Sequence, residues 1–167
     1  NNLKLRKLKS NMPPKKFMIT FDDGFFDLYE HAYPVLKKHN FKAIIYVLAE
    51  KEKSEWAKAL ELPAFKLLPW DLIKELSDNG IEIGSHTCTH PDLSLLTDKE
   101  MEREIIRSKE IIEDKIGKPV RHFCYPFGRF NLKTKEILKQ AGYLTSCTTR
   151  KGQNFSDSDL FELNRIV

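Results

Sequence analysis

Met18-Ile19-Thr20-Phe21-Asp22-Asp23-Gly24 is the stretch from which the rest of the chain can be read. Phe17, Met18 and Ile19 form a brief apolar run of the kind that makes a buried strand. Two adjacent carboxylates and a glycine follow where such a strand should end. Neighbouring acids repel, so holding both ionised away from water requires a cation or a set of hydrogen-bond donors. Gly24 lets the backbone turn sharply and lets a ligand approach closely. Asp-Gly is also a common turn pair, and the stretch by itself leaves a plain turn open.

A second stretch supplies the partner, Gly84-Ser85-His86-Thr87-Cys88-Thr89-His90-Pro91. His86 and His90 are four apart, so one helical turn or a tight loop can aim both imidazoles at one point. Two imidazole nitrogens and one carboxylate suit Zn²⁺ or a similar divalent ion. Three protein ligands leave a coordination position open for water, the pattern of a catalytic site.

Thr20-Phe21-Asp22-Asp23-Gly24, Ser85-His86-Thr87-Cys88-Thr89-His90 and Arg121-His122-Phe123-Cys124-Tyr125-Pro126-Phe127-Gly128 occur in that order. Together they resemble the first three motifs of the polysaccharide deacetylases, the metal-dependent carbohydrate esterases with a NodB homology domain. The likeness runs from about Lys16 to Val167. It implies an α/β fold, a distorted (β/α)7 barrel truncated at its C-terminus, made of residues 16–167 behind an extension of residues 1–15. Asp22 is then the general base and Asp23, His86 and His90 are the ligands of one divalent ion. That ion is expected to be Zn²⁺, with Co²⁺, Ni²⁺ or Mn²⁺ as alternatives. By the same resemblance Arg121 orients the base, and the backbone N–H of Tyr125 helps to stabilise the oxyanion. Tyr125 and Pro126 contact substrate.

The expected activity is hydrolysis of N-acetyl groups on the amino sugars of a polysaccharide or cell-wall glycan, in an extracytoplasmic or cell-surface setting. Another amide, an O-acetyl ester, or a catalytically silent carbohydrate-binding module are the alternative readings. Two family features are missing. The fourth motif contributes an Asp and a Trp, and Thr145 to Asn154 contains neither. The fifth contributes a histidine that protonates the departing amine. Leu163-Asn164-Arg165-Ile166-Val167 resembles its lead-in but holds no histidine. The general acid is therefore unassigned and expected beyond Val167.

Composition agrees with a globular domain: 167 residues, 41% hydrophobic and 31% charged, enough for one real core. The net charge of +4 is uneven. Lys4, Arg6, Lys7, Lys9, Lys15 and Lys16 lead the chain with no acid among them, whereas the remainder carries 22 basic and 24 acidic residues. Such a lead-in reads as a solvated extension, with contact to a membrane or cell wall as the functional alternative. Nothing in the body interleaves aromatics with a basic stripe, so nucleic acid is not an expected partner. The three cysteines, Cys88, Cys124 and Cys147, make no Cys-x-x-Cys pair and read as packing residues.

The remaining pattern alternates strand and helix, which predicts a parallel sheet or barrel with its site at the strands' C-terminal ends. Helices are expected over Asp27 to His39, Trp70 to Asn79, a capping box at Thr97 to Ile116, and Leu132 to Gln140. Strands are expected over Ala43 to Leu48, Ile81 to Ile83, Val120 to Tyr125 and Tyr143 to Thr148. Lys51 to Lys66 has no clear period, and Trp56 and Phe65 are its candidate anchors. On the fourth expected strand, Arg121 and Tyr125 share one face while His122 and Cys124 take the other.

Overall fold

The computed structural model describes residues 17–59 and 66–166. The basic extension over residues 1–15 and the candidate anchor Phe65 lie outside the described residues. Six strands form one sheet in chain order: β1 (Ile19–Phe21), β2 (Ala43–Val47), β3 (Glu82–Ser85), β4 (His122–Cys124), β5 (Thr145–Lys151) and β6 (Leu163–Arg165). Every neighbouring pair is parallel. Parallel neighbours need crossover segments, and helices supply most of them. These are α1 (Tyr33–His39), α2 (Glu55–Ala59), α3 (Trp70–Asp78), α4 (Asp98–Glu102), α5 (Ser108–Ile116) and α6 (Leu132–Gln140).

The sheet curls, so that Arg165 at the end of β6 reaches Asp22 at the end of β1. This is the expected barrel architecture in its distorted form, a half-barrel of six strands among the described residues. A side-chain ion pair spans the gap between the two edge strands.

β2 shows why an unbroken apolar run is a strand signal. Ala43, Ile45 and Val47 pack outward into the helix layer, whereas Ile44 and Tyr46 pack inward beside Cys124 and Cys147. Both faces are covered, so the strand carries no polar alternation. The outer core continues through Ile73, Leu76, Met101, Ile105, Ile112, Ile116, Ile137 and Leu138, which are all buried. Among these, Met101, Ile105, Ile112 and Ile116 have the helical spacing that marks the long helix in the sequence.

Two helices widen locally, one of them at a proline. Before α1, residues Leu28–Ala32 form a π-turn that runs directly into Pro34 at the start of the α-helix. Proline lacks an N–H and crowds the carbonyl four residues back, so a wider turn relieves that crowding. The second π-turn, Arg103–Arg107, joins α4 to α5 and contains no proline. The capping box at its start is complete, with Thr97 accepting from Glu100 and Glu100 accepting from Thr97. At the far end Gly117 terminates the helix with φ 71°, a left-handed conformation that glycine adopts without steric cost.

Candidate active site

Asp22 and Asp23 leave the C-terminal end of β1, and the loop after β3 carries both histidines beside them. The loop bends through conformations that non-glycine residues seldom adopt. Among the described residues, Asp23 (φ 68°), Thr87 (φ 73°), His90 (φ 65°) and Phe127 (φ 57°) share positive φ here; the fifth such residue, Asn40, only ends a helix. Strain of this kind persists where surrounding bonds over-determine it. Here the Thr87 Oγ1 accepts from the His90 N–H at 2.9 Å, closing the loop. Ala49 and Glu50 donate to the Thr87 and Cys88 carbonyls.

His86 and His90 point Nε2 at one atom, the Asp23 Oδ1, at 3.5 and 3.6 Å. That oxygen is buried and has no hydrogen-bond partner among the described residues. Burial, reinforced by the neighbouring Asp22, raises the Asp23 pKa to about 7. Burial also lowers both imidazoles, His90 to about 3 with His86 contributing. Two neutral imidazoles and an orphaned carboxylate oxygen converging at this separation are the donor set of a divalent transition-metal ion. The residues present fit such an ion. It would sit between all three and give the Asp23 oxygen the partner it lacks.

Each imidazole is held differently. The His86 Nδ1 meets the Cys124 carbonyl at 2.7 Å, the usual support for a metal-ligating histidine. The His90 Nδ1 is buried without a hydrogen-bond partner among the described residues. Its ring is held by aromatic contacts instead, stacked on Trp56 at 4.0 Å and edge-on to Phe127 at 4.7 Å. Trp56, expected only as an anchor for a segment without clear period, thus lies against the candidate centre.

The guanidinium at Asp22 belongs to Arg165, not to Arg121. The Arg165 Nη1 donates to Asp22 Oδ1 and Nη2 to Oδ2, both at 2.7 Å, while Nε donates to the Thr148 carbonyl at 2.9 Å. Burial pushes the Asp22 carboxyl upward, but the hydrogen bonds and charge of Arg165 leave it below the ordinary carboxylate value. Arg121 stands at the opposite end of β4, half-exposed, with its nearest acid Glu82 at 3.9 Å. Its parity partners Phe123 and Tyr125 face the helix layer. The inward face at this level belongs to Cys124, whose sulfur lies within 4.8 Å of Asp22 and His86 donor atoms. The alternation is legible in the sequence, but which face looks inward is not.

Tyr125 also differs from expectation. Its N–H donates to the Cys147 carbonyl at 3.2 Å, so it serves the sheet instead of a reacting oxygen. The side chain is wholly buried, stacked on Phe130 and donating to the Phe161 carbonyl. Pro126 is buried as well and opens the tight turn Pro126–Gly128. Phe127, half-exposed and against His90, meets the site from this motif together with Cys124.

Cys88 keeps its packing role. It is buried, and burial with the nearby Glu104 and Glu50 pushes its thiol up to about 12. His122 meets the Thr145 hydroxyl at 2.8 Å on the inner face and lies 3.9 Å from Glu82. Among the described residues, only the Asp22–His86–Cys124 and Asp23–His86–His90 groups could hold a metal ion, and they share His86. Arg165 already neutralises the first, which leaves the second as the candidate centre.

Comparison with known proteins places the fold in a family. Residues 9–146 match the family model described as polysaccharide deacetylase. The Bacillus subtilis protein YxkH is 32% identical over 152 residues, covering 91% of this chain and 51% of YxkH. The peptidoglycan-N-acetylglucosamine deacetylase of Bacillus cereus is 29% identical over 111 residues, 66% of this chain and 35% of that protein. The chain thus spans about half or less of these curated relatives. Among solved structures, the Streptococcus pyogenes deacetylase PplD in complex with acetate superposes with a TM-score of 0.79 at 30% identity, over 99% of this chain and 70% of that one. A match across most of the chain, on the fold that brings Asp22, Asp23, His86 and His90 together, makes this chain a member of the polysaccharide deacetylase family.

Proposed function

We propose that the chain is the catalytic domain of a metal-dependent hydrolase that removes N-acetyl groups from amino sugars of a glycan. The observation that carries this reading is the buried, unpartnered Asp23 Oδ1 facing two neutral Nε2 atoms at 3.5 and 3.6 Å. Asp23, His86 and His90 would hold one divalent ion, most simply Zn²⁺. Bound there, such an ion polarises the acyl carbonyl and acidifies a water molecule.

The chain's own residues supply the remaining chemistry. Asp22, beside the ligands yet held by Arg165, accepts a proton from the attacking water as general base. Both its oxygens are engaged by the guanidinium, and each keeps a second lone pair for that proton. The bidentate grip fixes the carboxylate's plane and keeps it ionised, at the expense of some basicity. The Pro126–Gly128 turn offers a donor for the developing oxyanion. Gly128 and Arg129 donate to the Tyr125 and Pro126 carbonyls, which leaves the Phe127 N–H as the candidate. Trp56 and Phe127 flank His90 and present aromatic surface beside the reacting group, suited to the apolar face of a sugar. The peptidoglycan relative's name supports an N-acetylglucosamine polymer as substrate.

The test measures acetate release from N-acetylglucosamine oligomers and from peptidoglycan, after chelation and again with Zn²⁺ restored. Activity should return with about one equivalent of metal. The Asp23→Ala/His86→Ala/His90→Ala variant should bind none and release none. Acetate release that persists in the metal-stripped protein would refute the reading. Stoichiometric Zn²⁺ binding without release from any amino sugar or acetate ester would favour the silent binding module.

A further inference from the structure

Glu104 belongs to no motif singled out in the sequence, yet its carboxylate is buried inside the protein. The partners it holds are unusual for a buried acid. Oε2 accepts the Cys88 N–H at 2.9 Å and the Thr89 N–H at 3.0 Å, and Oε1 accepts the Thr89 hydroxyl at 2.9 Å. All three donors lie in the loop between His86 and His90. The arginines on either side of it, Arg103 and Arg107, turn to Glu50 instead. Among the described residues the Glu104 carboxylate is met by these neutral donors, an arrangement that is expensive unless the donors are held firmly in place.

The placement of Glu104 adds a second argument. It lies in the π-turn Arg103–Arg107, which has no proline to cause it; single π-turns are frequent at functional sites. One turn further on, Ser108 meets the Ser85 hydroxyl at 2.8 Å, and Ser85 in turn accepts the Thr87 N–H. One helix therefore grips the loop at its start and at its middle. The loop it grips carries the two positive-φ residues Thr87 and His90, a conformation that costs energy and needs outside support.

We infer that Glu104 is a positioning residue for the metal centre: its carboxylate gathers the Cys88 and Thr89 donors and thereby fixes the separation and aim of His86 and His90. The inference rests on the metal-site reading above and deepens it. Supports one bond removed from a metal ligand commonly change affinity by about 10–100-fold when lost. Glu104 acts through the backbone that joins two ligands, so the same range applies.

The experiment measures Zn²⁺ affinity by competition with a chromophoric chelator and records the visible spectrum of the Co²⁺-loaded protein, neither of which needs turnover. Glu104→Ala should weaken Zn²⁺ binding by about 10–100-fold and alter the Co²⁺ ligand-field bands. Glu104→Gln should rescue most of the affinity, because its oxygen can still take both N–H donors while its amide faces the Thr89 hydroxyl. If Glu104→Ala does not fold, Glu104→Gln and Thr89→Val each remove part of the grip and should each show a smaller loss. Wild-type affinity and spectrum in Glu104→Ala, even with a lowered melting temperature, would make the residue merely structural and overturn the inference. The inference falls equally if Glu104→Ala is unfolded and both milder variants bind like wild type. A wild-type chain that binds no Zn²⁺ would overturn the inference and the metal-site reading together.

Discussion

At the scale of single residues, the instructive exchange is between Arg121 and Arg165. A guanidinium beside the proposed general base does two things: it holds the carboxylate ionised and fixes its plane. Arg165 is built for both, since its third nitrogen is anchored on the Thr148 carbonyl while the other two clasp Asp22. Lysine would keep the charge and lose the planar fork. Arg165→Lys should therefore lower kcat on an activated acetate ester by about tenfold or more, with KM little changed, as expected when an orienting group for a general base is lost. The parallel Arg121→Lys should leave both constants near wild type, because Arg121 is half-exposed and its nearest acid is 3.9 Å away. Steady-state kinetics on the two variants decides the assignment. A rise in KM alone for Arg165→Lys would make it a substrate contact.

At the scale of elements, β3 must pass close beneath Tyr46 to deliver the histidine loop. Gly84 makes that approach feasible. A Cβ built there would lie 2.5 and 2.7 Å from Tyr46 ring atoms and 2.9 Å from the His122 carbonyl oxygen. Its backbone is ordinary, so the restriction is one of space, not of torsion. The carbonyl belongs to the neighbouring strand and cannot swing aside as a side chain can. Gly84→Ala should cost about 1–3 kcal/mol, the usual penalty for overpacking a well-filled interior. For a domain of this size that is a melting temperature lower by roughly 2–12 °C, measurable by calorimetry on the metal-free protein. An unchanged melting temperature would mean that β2 and β3 separate more easily than the contacts suggest.

Across the whole molecule, the segment before β6 has to be secured for Arg165 to arrive where it does. Lys135 on α6 makes that tie, reaching Asp159 and Glu162 at 2.6 Å each, while Arg150 meets Glu162 at 2.9 Å. The Lys135 hydrogen bonds hold both carboxyls below their ordinary values. A folded-state pKa below the unfolded one contributes stability above the unfolded value, near pH 4, and loses it as pH falls through the folded value. These carboxylates remain partly exposed, so solvent screening limits the network to roughly 1 kcal/mol. Lys135→Met should lower the melting temperature by about 2–4 °C at pH 7, and the difference should shrink as pH falls below the ordinary carboxylate range and vanish once both depressed carboxyls are protonated. A difference that persists undiminished at low pH would assign the effect to the lysine's packing instead of its charge.

Local chemistry makes much of the fold legible in the sequence. The capping box at Thr97, the left-handed stop at Gly117, the uniform burial of β2 and the helix over Leu132–Gln140 rest on contacts within a few residues, or on burial that composition reveals directly. The convergence of Asp23, His86 and His90 is legible because the proposed metal centre demands particular donor types, and a short loop keeps two of them four residues apart. What the sequence could not carry was anything decided by which face of a strand looks inward. Period-2 alternation pairs Arg121 with Tyr125 and His122 with Cys124, but it does not say which pair meets the barrel's interior. Only the tertiary packing settled that, turning Phe123 and Tyr125 into the outer core with Tyr143 and Phe130 and leaving Cys124 beside Asp22. Arg165 lies 143 residues from Asp22 along the chain, and Glu104 lies 15 or 16 from the amides it holds. Residue type and local spacing settle which groups can do the chemistry; the curl of the sheet, closing β6 toward β1, settles which of them meet.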